Sequence, residues 1–186
     1  MIAQAPNDRP AQENAGLRTY YLVRGLVAAG WVAAAFTIGR TAPLAAAVLL
    51  VAYPAWDALA NLLDARRSGG LGRNRSQAVN ALMSSIAALA ILFTLGDTAA
   101  VVGIFGAWAI VAGLLQLVTG LRRWKSFGAQ WAMVLSGAQS ALAGAFFIKQ
   151  SLGPDVHGIT DVAPYAAFGA FYFLVSALWL TVRRGR

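Results

Sequence analysis

The chain contains no cysteine, a single histidine (His157), and only seven acidic residues against fifteen lysines and arginines. Without cysteine there is no disulfide, thiolate metal site or cysteine nucleophile. One imidazole cannot supply a zinc-binding histidine pair. Charge as a whole is scarce: 12% of the 186 residues are charged and 59% are hydrophobic, where soluble domains carry about 25% and about 45–50%. A water-soluble core cannot absorb that excess. No phosphate loop and no nucleophile with its base is present, so the chain reads as non-enzymatic, with no catalytic residues, cofactor or metal expected.

The net charge of +8 would suggest nucleic acid in a soluble protein. Here the basic residues stand in short clusters between long apolar runs, so they read as topology signals and no nucleic-acid partner is expected. A membrane span needs about 20 mainly apolar residues, and six segments qualify: Leu17 to Ile38, Pro43 to Leu63, Ala78 to Leu95, Ala99 to Leu121, Phe127 to Ile148 and Val162 to Val182. The predicted class is an all-α membrane protein with six transmembrane helices in residues 17–186. The first sixteen residues, rich in Pro, Asn, Gln and charge, read as a flexible cytoplasmic tail. The first apolar run begins too late and runs too long for a cleaved signal peptide.

Punctuation separates the spans. Pro43 suits the first turn of a helix, a Gly-rich turn follows Ser68, Gly96-Asp97 makes a tight turn, and Gly153-Pro154 opens the longest outer loop. Twelve of the fifteen basic residues, including Arg66, Arg67, Arg73, Arg75, Arg122 and Arg123, fall on the side shared by the two termini; Arg40 and Lys149 lie opposite, and Arg24 is inside a span. The positive-inside rule then puts both termini in the cytoplasm, as in an inner-membrane-type protein. The arginine clusters are expected to meet anionic lipid headgroups. Tyr20, Tyr21, Trp124 and Trp131 fall near the inner interface and Tyr165 near the outer one.

Phe105-Gly106-Ala107-Trp108 in the fourth span and Phe168-Gly169-Ala170-Phe171 in the sixth are each followed, after an apolar stretch, by a pair of arginines, and Tyr53-Pro54-Ala55-Trp56 in the second is a looser copy. The similarity predicts three repeated helical hairpins related by an axis along the membrane normal. Gly106, Gly113 and Gly120 recur every seven residues, and Ser136, Ser140 and Gly144 every four. Such small-residue stripes let helix backbones approach, within one chain or between the subunits of a homo-oligomer or larger membrane complex.

The second-span stretch from Tyr53 to Arg67, the run from Phe105 to Lys125 and the run from Gly128 to Gln139 resemble the HdeD-like family of small bacterial membrane proteins. The resemblance covers nearly the whole chain after Leu17. It implies a six-span membrane protein associated with stress or acid resistance. That family brings no established catalytic or binding residues, so none is carried over.

Polar groups inside spans are costly and therefore informative. At about 1.5 Å per residue, Arg24, Asn61, Asn80, Gln116 and Gln130 lie at similar depth, about 7–9 Å above the basic residues at the inner ends of their spans. On the second span Tyr53, Asp57, Asn61 and Asp64 share one face. These eight residues form a candidate inward-facing polar pocket; the simpler alternative is that each hydrogen-bonds a neighbouring helix and glues the bundle. Arg24 is expected to pair with Asp57, with Asp64 as second choice. Gln139, beside Ser136 and Ser140, stands apart from this cluster. Asp155, His157 and Asp161 in the outer loop suggest a pH-sensing or metal site, although a solvated loop is the simpler reading.

Three functions fit these features: a stress-associated protein working through the bundle or its partners, a small transporter or channel using the polar cluster, and an accessory subunit of a larger complex. An interior opening to one side would favour transport, and a fully packed one the other two.

Overall fold

The computed structural model describes residues 9–67, 69–122, 124, 130–156 and 158–182. Among these residues there are only helices: α1 (Arg9–Phe36), α2 (Ile38–Thr41), α3 (Pro43–Arg67), α4 (Arg75–Thr94), α5 (Thr98–Arg122), α6 (Gln130–Ser151) and α7 (Ile159–Val182). Six helical segments are long and apolar enough to cross a membrane, α2 continuing the first of them. At most 39% of any span's apolar window is buried within the protein. Leu44, Val48, Phe93, Leu142 and Phe146 point outward, as a bundle solvated by lipid requires. The six spans are those expected, and α1 begins at Arg9, ahead of the first expected span. Pro10 is tolerated in a first turn, and Ala11, Gln12 and Glu13 favour helix.

Local chemistry sets the breaks. The Gly69 and Gly70 backbones have φ of +96° and +91°, a region glycine enters without penalty, and the Gly70 N–H closes the end of α3 on the Ala65 carbonyl at 2.7 Å. Between α4 and α5, the Asp97 N–H donates to the Thr94 carbonyl at 2.8 Å, and Asp97 Oδ1 accepts the Ala100 N–H at 3.0 Å. That cap ends one helix and starts the next, separating the third and fourth spans.

The helices form a ring in chain order, closed by α7 against α1. Its seams alternate. The α1/α7, α3/α4 and α5/α6 seams are extensive, α4/α5 is weaker, and α1/α3 and α6/α7 are sparse. A period of two around the ring is what three repeats about one axis produce. The tightest partners nevertheless lie between the expected hairpins, not within them: each hairpin's second helix grips the first helix of the next.

The glycine stripes explain the tightest seam and settle where they act, which is within this chain. A Cβ on Gly144 would stand 2.4 Å from the Gly106 carbonyl oxygen, and one on Gly113 would stand 2.6 Å from that of Gly137. Backbone therefore lies on backbone at two levels of α5/α6, the close approach that small residues allow in membranes. Gly137, not Ser136, faces α5. At α1/α7, Tyr21 is buried against Ala177 and Leu180, so its ring faces protein, and the first part of α1 lies beside the end of α7. The first part of α1 and the end of α7 thus lie on one side, the terminal side.

The half of the bundle away from the termini holds the core, in which Phe105, Val102, Val162 and Ile91 are fully buried. At the midplane, Trp31, Tyr53, Phe105, Trp108, Phe147 and Tyr165 interlock, with ring centroids from 4.7 Å (Trp31–Tyr53) to 6.5 Å (Phe105–Phe147). Each such pair is worth about 0.5–1.5 kcal/mol beyond its buried area. Tyr165 belongs to this layer, not to the outer interface: its hydroxyl lies 2.9 Å from that of Ser140.

Candidate binding cavity

The half of the bundle nearer the termini is hollow. A cavity of about 930 Å³ is lined by all six spans. Its mouth is formed by Gly16, Leu17, Arg67, Gly69, Arg73 and Asn74, at the helix ends on the terminal side, and its floor by Ala28, Tyr53, Trp108, Ser140 and Tyr165. Tyr53, Trp108 and Tyr165 belong to the ring layer, which closes the cavity on that side. The sparse α1/α3 and α6/α7 seams flank the void.

All eight residues singled out from the sequence line this cavity: Arg24 on α1, Tyr53, Asp57, Asn61 and Asp64 on α3, Asn80 on α4, Gln116 on α5 and Gln130 on α6. The expected pairing is formed, with the Arg24 guanidinium donating to Asp57 Oδ1 in an ion pair. Asp57 Oδ2 accepts from Ser84 Oγ at 2.8 Å, Asn80 Nδ2 at 3.0 Å and Asn61 Nδ2 at 3.1 Å. Four donors from three helices therefore converge on one carboxylate, and Trp108 Nε1 extends the network to a fourth helix by donating to Ser84 Oγ at 2.8 Å. Arg24 also donates to the Tyr20 hydroxyl at 2.9 Å. Its guanidinium carbon sits 4.5 Å from the Phe173 ring centroid, where a cation–π contact contributes. Asp64 is not part of this network: it accepts from Gln77 Nε2 at 3.2 Å, one turn from the mouth.

Several wall residues escaped the sequence reading. Tyr20 lines the cavity and hydrogen-bonds Arg24 instead of marking an interface. Gln139 and Ser136, set apart by depth from the inner cluster, also line it, because the void reaches the midplane. Ser140 Oγ, on the floor, is engaged with the Ala109 carbonyl at 2.9 Å as well as with Tyr165. Ser84, Trp108 and Gln77 carried no signal, since nothing in a single sequence says that their helices face Asp57.

His157 lies outside the described residues. Asp155 is exposed, and Asp161 Oδ2 accepts the Gly158 N–H at 3.2 Å in the first turn of α7, where an acid suits the helix dipole. Among the described residues no group of three potential metal ligands comes together.

Comparison with known proteins adds one finding. Residues 78–149 match the family model of a short repeat of unknown function, DUF308. The DUF308 stretch takes in α4 from Ala78, all of α5 and most of α6, less than half of the chain. It contributes Asn80, Trp108, Gln116 and Gln139 to the cavity wall, while Arg24, Asp57 and all of α7 lie outside it. No curated protein and no solved structure matches the chain.

Proposed function

We propose that this membrane protein binds a small solute in its interior cavity and carries it across the membrane, starting from a state open to the side of its termini. One observation carries the reading: polar side chains from every span line a void of about 930 Å³ that the contacts among them do not fill. A bundle merely glued by polar contacts would have no such space. Volumes of about 300–1,000 Å³ with a few convergent polar groups are usual for small-molecule sites. The ring layer at the floor serves as the closed gate, and the sparse seams beside α1/α7 give that pair freedom to move against the other four spans. On this reading the arginine-rich terminal side faces the cytoplasm of a bacterial inner membrane, its arginines touch anionic headgroups at about 1 kcal/mol each, and no bond-making chemistry takes place.

Because the chain has no cysteine, a Gln139→Cys variant gives a single reporter. A membrane-impermeant thiol reagent is expected to label it rapidly from the terminal side and slowly from the other, as the protein cycles. Labelling from one side only would reduce the protein to a binding module. No labelling from either side would refute the cavity itself. A second reading is a role in stress or acid resistance, which the HdeD-like resemblance implies; loss of survival in acid on deletion of the gene tests it.

A further inference from the structure

We propose that the solute is uncharged and hydrogen-bonding. The inference rests on the reading of the cavity as a solute site and begins with charge. Deep in the cavity, the only formal charges among the described residues are Arg24 and Asp57, and each is matched by the other. Asp64, Arg67 and Arg73 lie toward the mouth, where both arginines are exposed and their field in water fades over about 8–10 Å. An ion moved from the mouth to the floor would leave water and find no unmatched counter-charge. Stripping solvent from an ion is repaid only by a well-placed partner, and none is free for either sign.

Neutral groups, by contrast, are uncommitted. Gln116, Gln139, Ser136, Tyr53 and Tyr172 line the wall, and none of their side chains makes a hydrogen bond among the described residues. The two amides offer donors and acceptors together, and the hydroxyls come from α3, α6 and α7, so these groups converge from four helices. Trp56, Trp108 and Phe173 add flat apolar faces between them. Polar groups that an occupant covers without pairing them penalise that occupant. The wall therefore selects a solute with hydroxyl or amide groups and an apolar face, and it discriminates against both anions and cations.

The test uses reagents of matched shape and different charge as the probes. Gln139→Cys and Ser136→Cys report the deep cavity, and Ser76→Cys, on the wall near the mouth, serves as reference. Each variant of the full chain is reacted with a neutral hydroxyethyl, an anionic sulfonatoethyl and a cationic trimethylammonium-ethyl methanethiosulfonate. Dividing deep rates by reference rates cancels intrinsic reactivity. The expected result is an advantage of about tenfold or more for the neutral reagent over both ions at the deep positions, the size of discrimination that unpaired polar groups readily supply. A charged reagent that enters as readily as the neutral one overturns the inference and leaves the cavity reading intact. Failure of all three reagents at both deep positions, with the Ser76→Cys site labelled, overturns the cavity reading and the inference together. Adding Asp57→Asn to Gln139→Cys strips Arg24 of its partner, so the anionic reagent should gain about tenfold; an unchanged ratio would show that charge matching is not what sets selectivity. The comparison between reagents in the single variants stands on its own if that double variant does not fold.

Discussion

The two halves of this bundle are built from the same six helices and end in opposite states. Away from the termini, aromatic rings and branched aliphatic side chains fill the space between the spans. Toward the termini, residues such as Gln139, Asn61 and Arg24 stand around a void. Helix spacing alone does not explain this, because α5 and α6 touch backbone to backbone in both halves, at Gly106/Gly144 and at Gly113/Gly137. What differs is the filling. Six large rings converge at the midplane, and on the terminal side of them the inward positions carry polar groups that line a gap. A tight seam and a hollow interior therefore coexist along the same pair of helices.

The strongest test of this contrast breaks the charge pair on the hollow side. Removing one member of a buried pair leaves an uncompensated charge and costs about 3–5 kcal/mol. Arg24→Leu or Asp57→Asn alone should lower stability by that amount in denaturant titrations of the detergent-solubilised protein. The joint change Arg24→Leu with Asp57→Leu should recover much of the loss, and a double variant no better than the singles would refute the pairing.

Next in size is the shared seam. Gly144→Ala forces a methyl against the Gly106 carbonyl, and since no flexible side chain can yield there, the cost should reach or exceed about 3 kcal/mol, the upper end for overpacking. Gly30→Ala, where an added Cβ meets nothing within 4 Å, is the control and should not destabilise. A tolerant Gly144→Ala variant would mean that the α5/α6 backbones do not meet.

Smaller again is the polar tie across the floor. Ser140→Ala removes contacts to the Ala109 carbonyl and the Tyr165 hydroxyl, and membrane hydrogen bonds average about 0.6 kcal/mol with a maximum near 1.7. A loss in that range, measured by the same titration, is expected. The smallest effect belongs to the void: Gln139→Leu gives up no side-chain hydrogen bond and should change stability by less than about 0.5 kcal/mol. A large loss there would show the cavity wall to be a packed interface.

Much of this was legible before the structure because intramembrane polarity is expensive. That cost is why Arg24, Asp57, Asn61 and Asn80 stand out in an apolar sequence, and why a carboxylate at matching depth in the next span identifies the partner of Arg24. The six spans follow from their length and the common side of the termini from arginine asymmetry. What stayed hidden depends on rotation of helices about their own axes. Ser84 and Trp108 look like ordinary span residues until α4 and α5 are turned toward Asp57. Tyr165 was placed by its distance from a helix end, which says nothing about whether a ring points to lipid or to the axis. Gln139 stands apart from the other polar residues in depth from the inner surface, yet the void extends to the midplane and reaches it. Motif order indicates the hairpins but does not reveal which neighbour a helix grips more firmly.

The closing seam between α1 and α7 has a consequence for how the protein is made. The first span enters the membrane long before its tightest partner exists, since α7 is synthesised after the other five. In the interval α1 touches the growing bundle through the sparse α1/α3 seam, and the charge on Arg24 must be matched there or remain exposed to lipid. Asp57 arrives with the very next span. The ion pair is thus available as an early clasp that holds the first helix in register until the last one locks it in place.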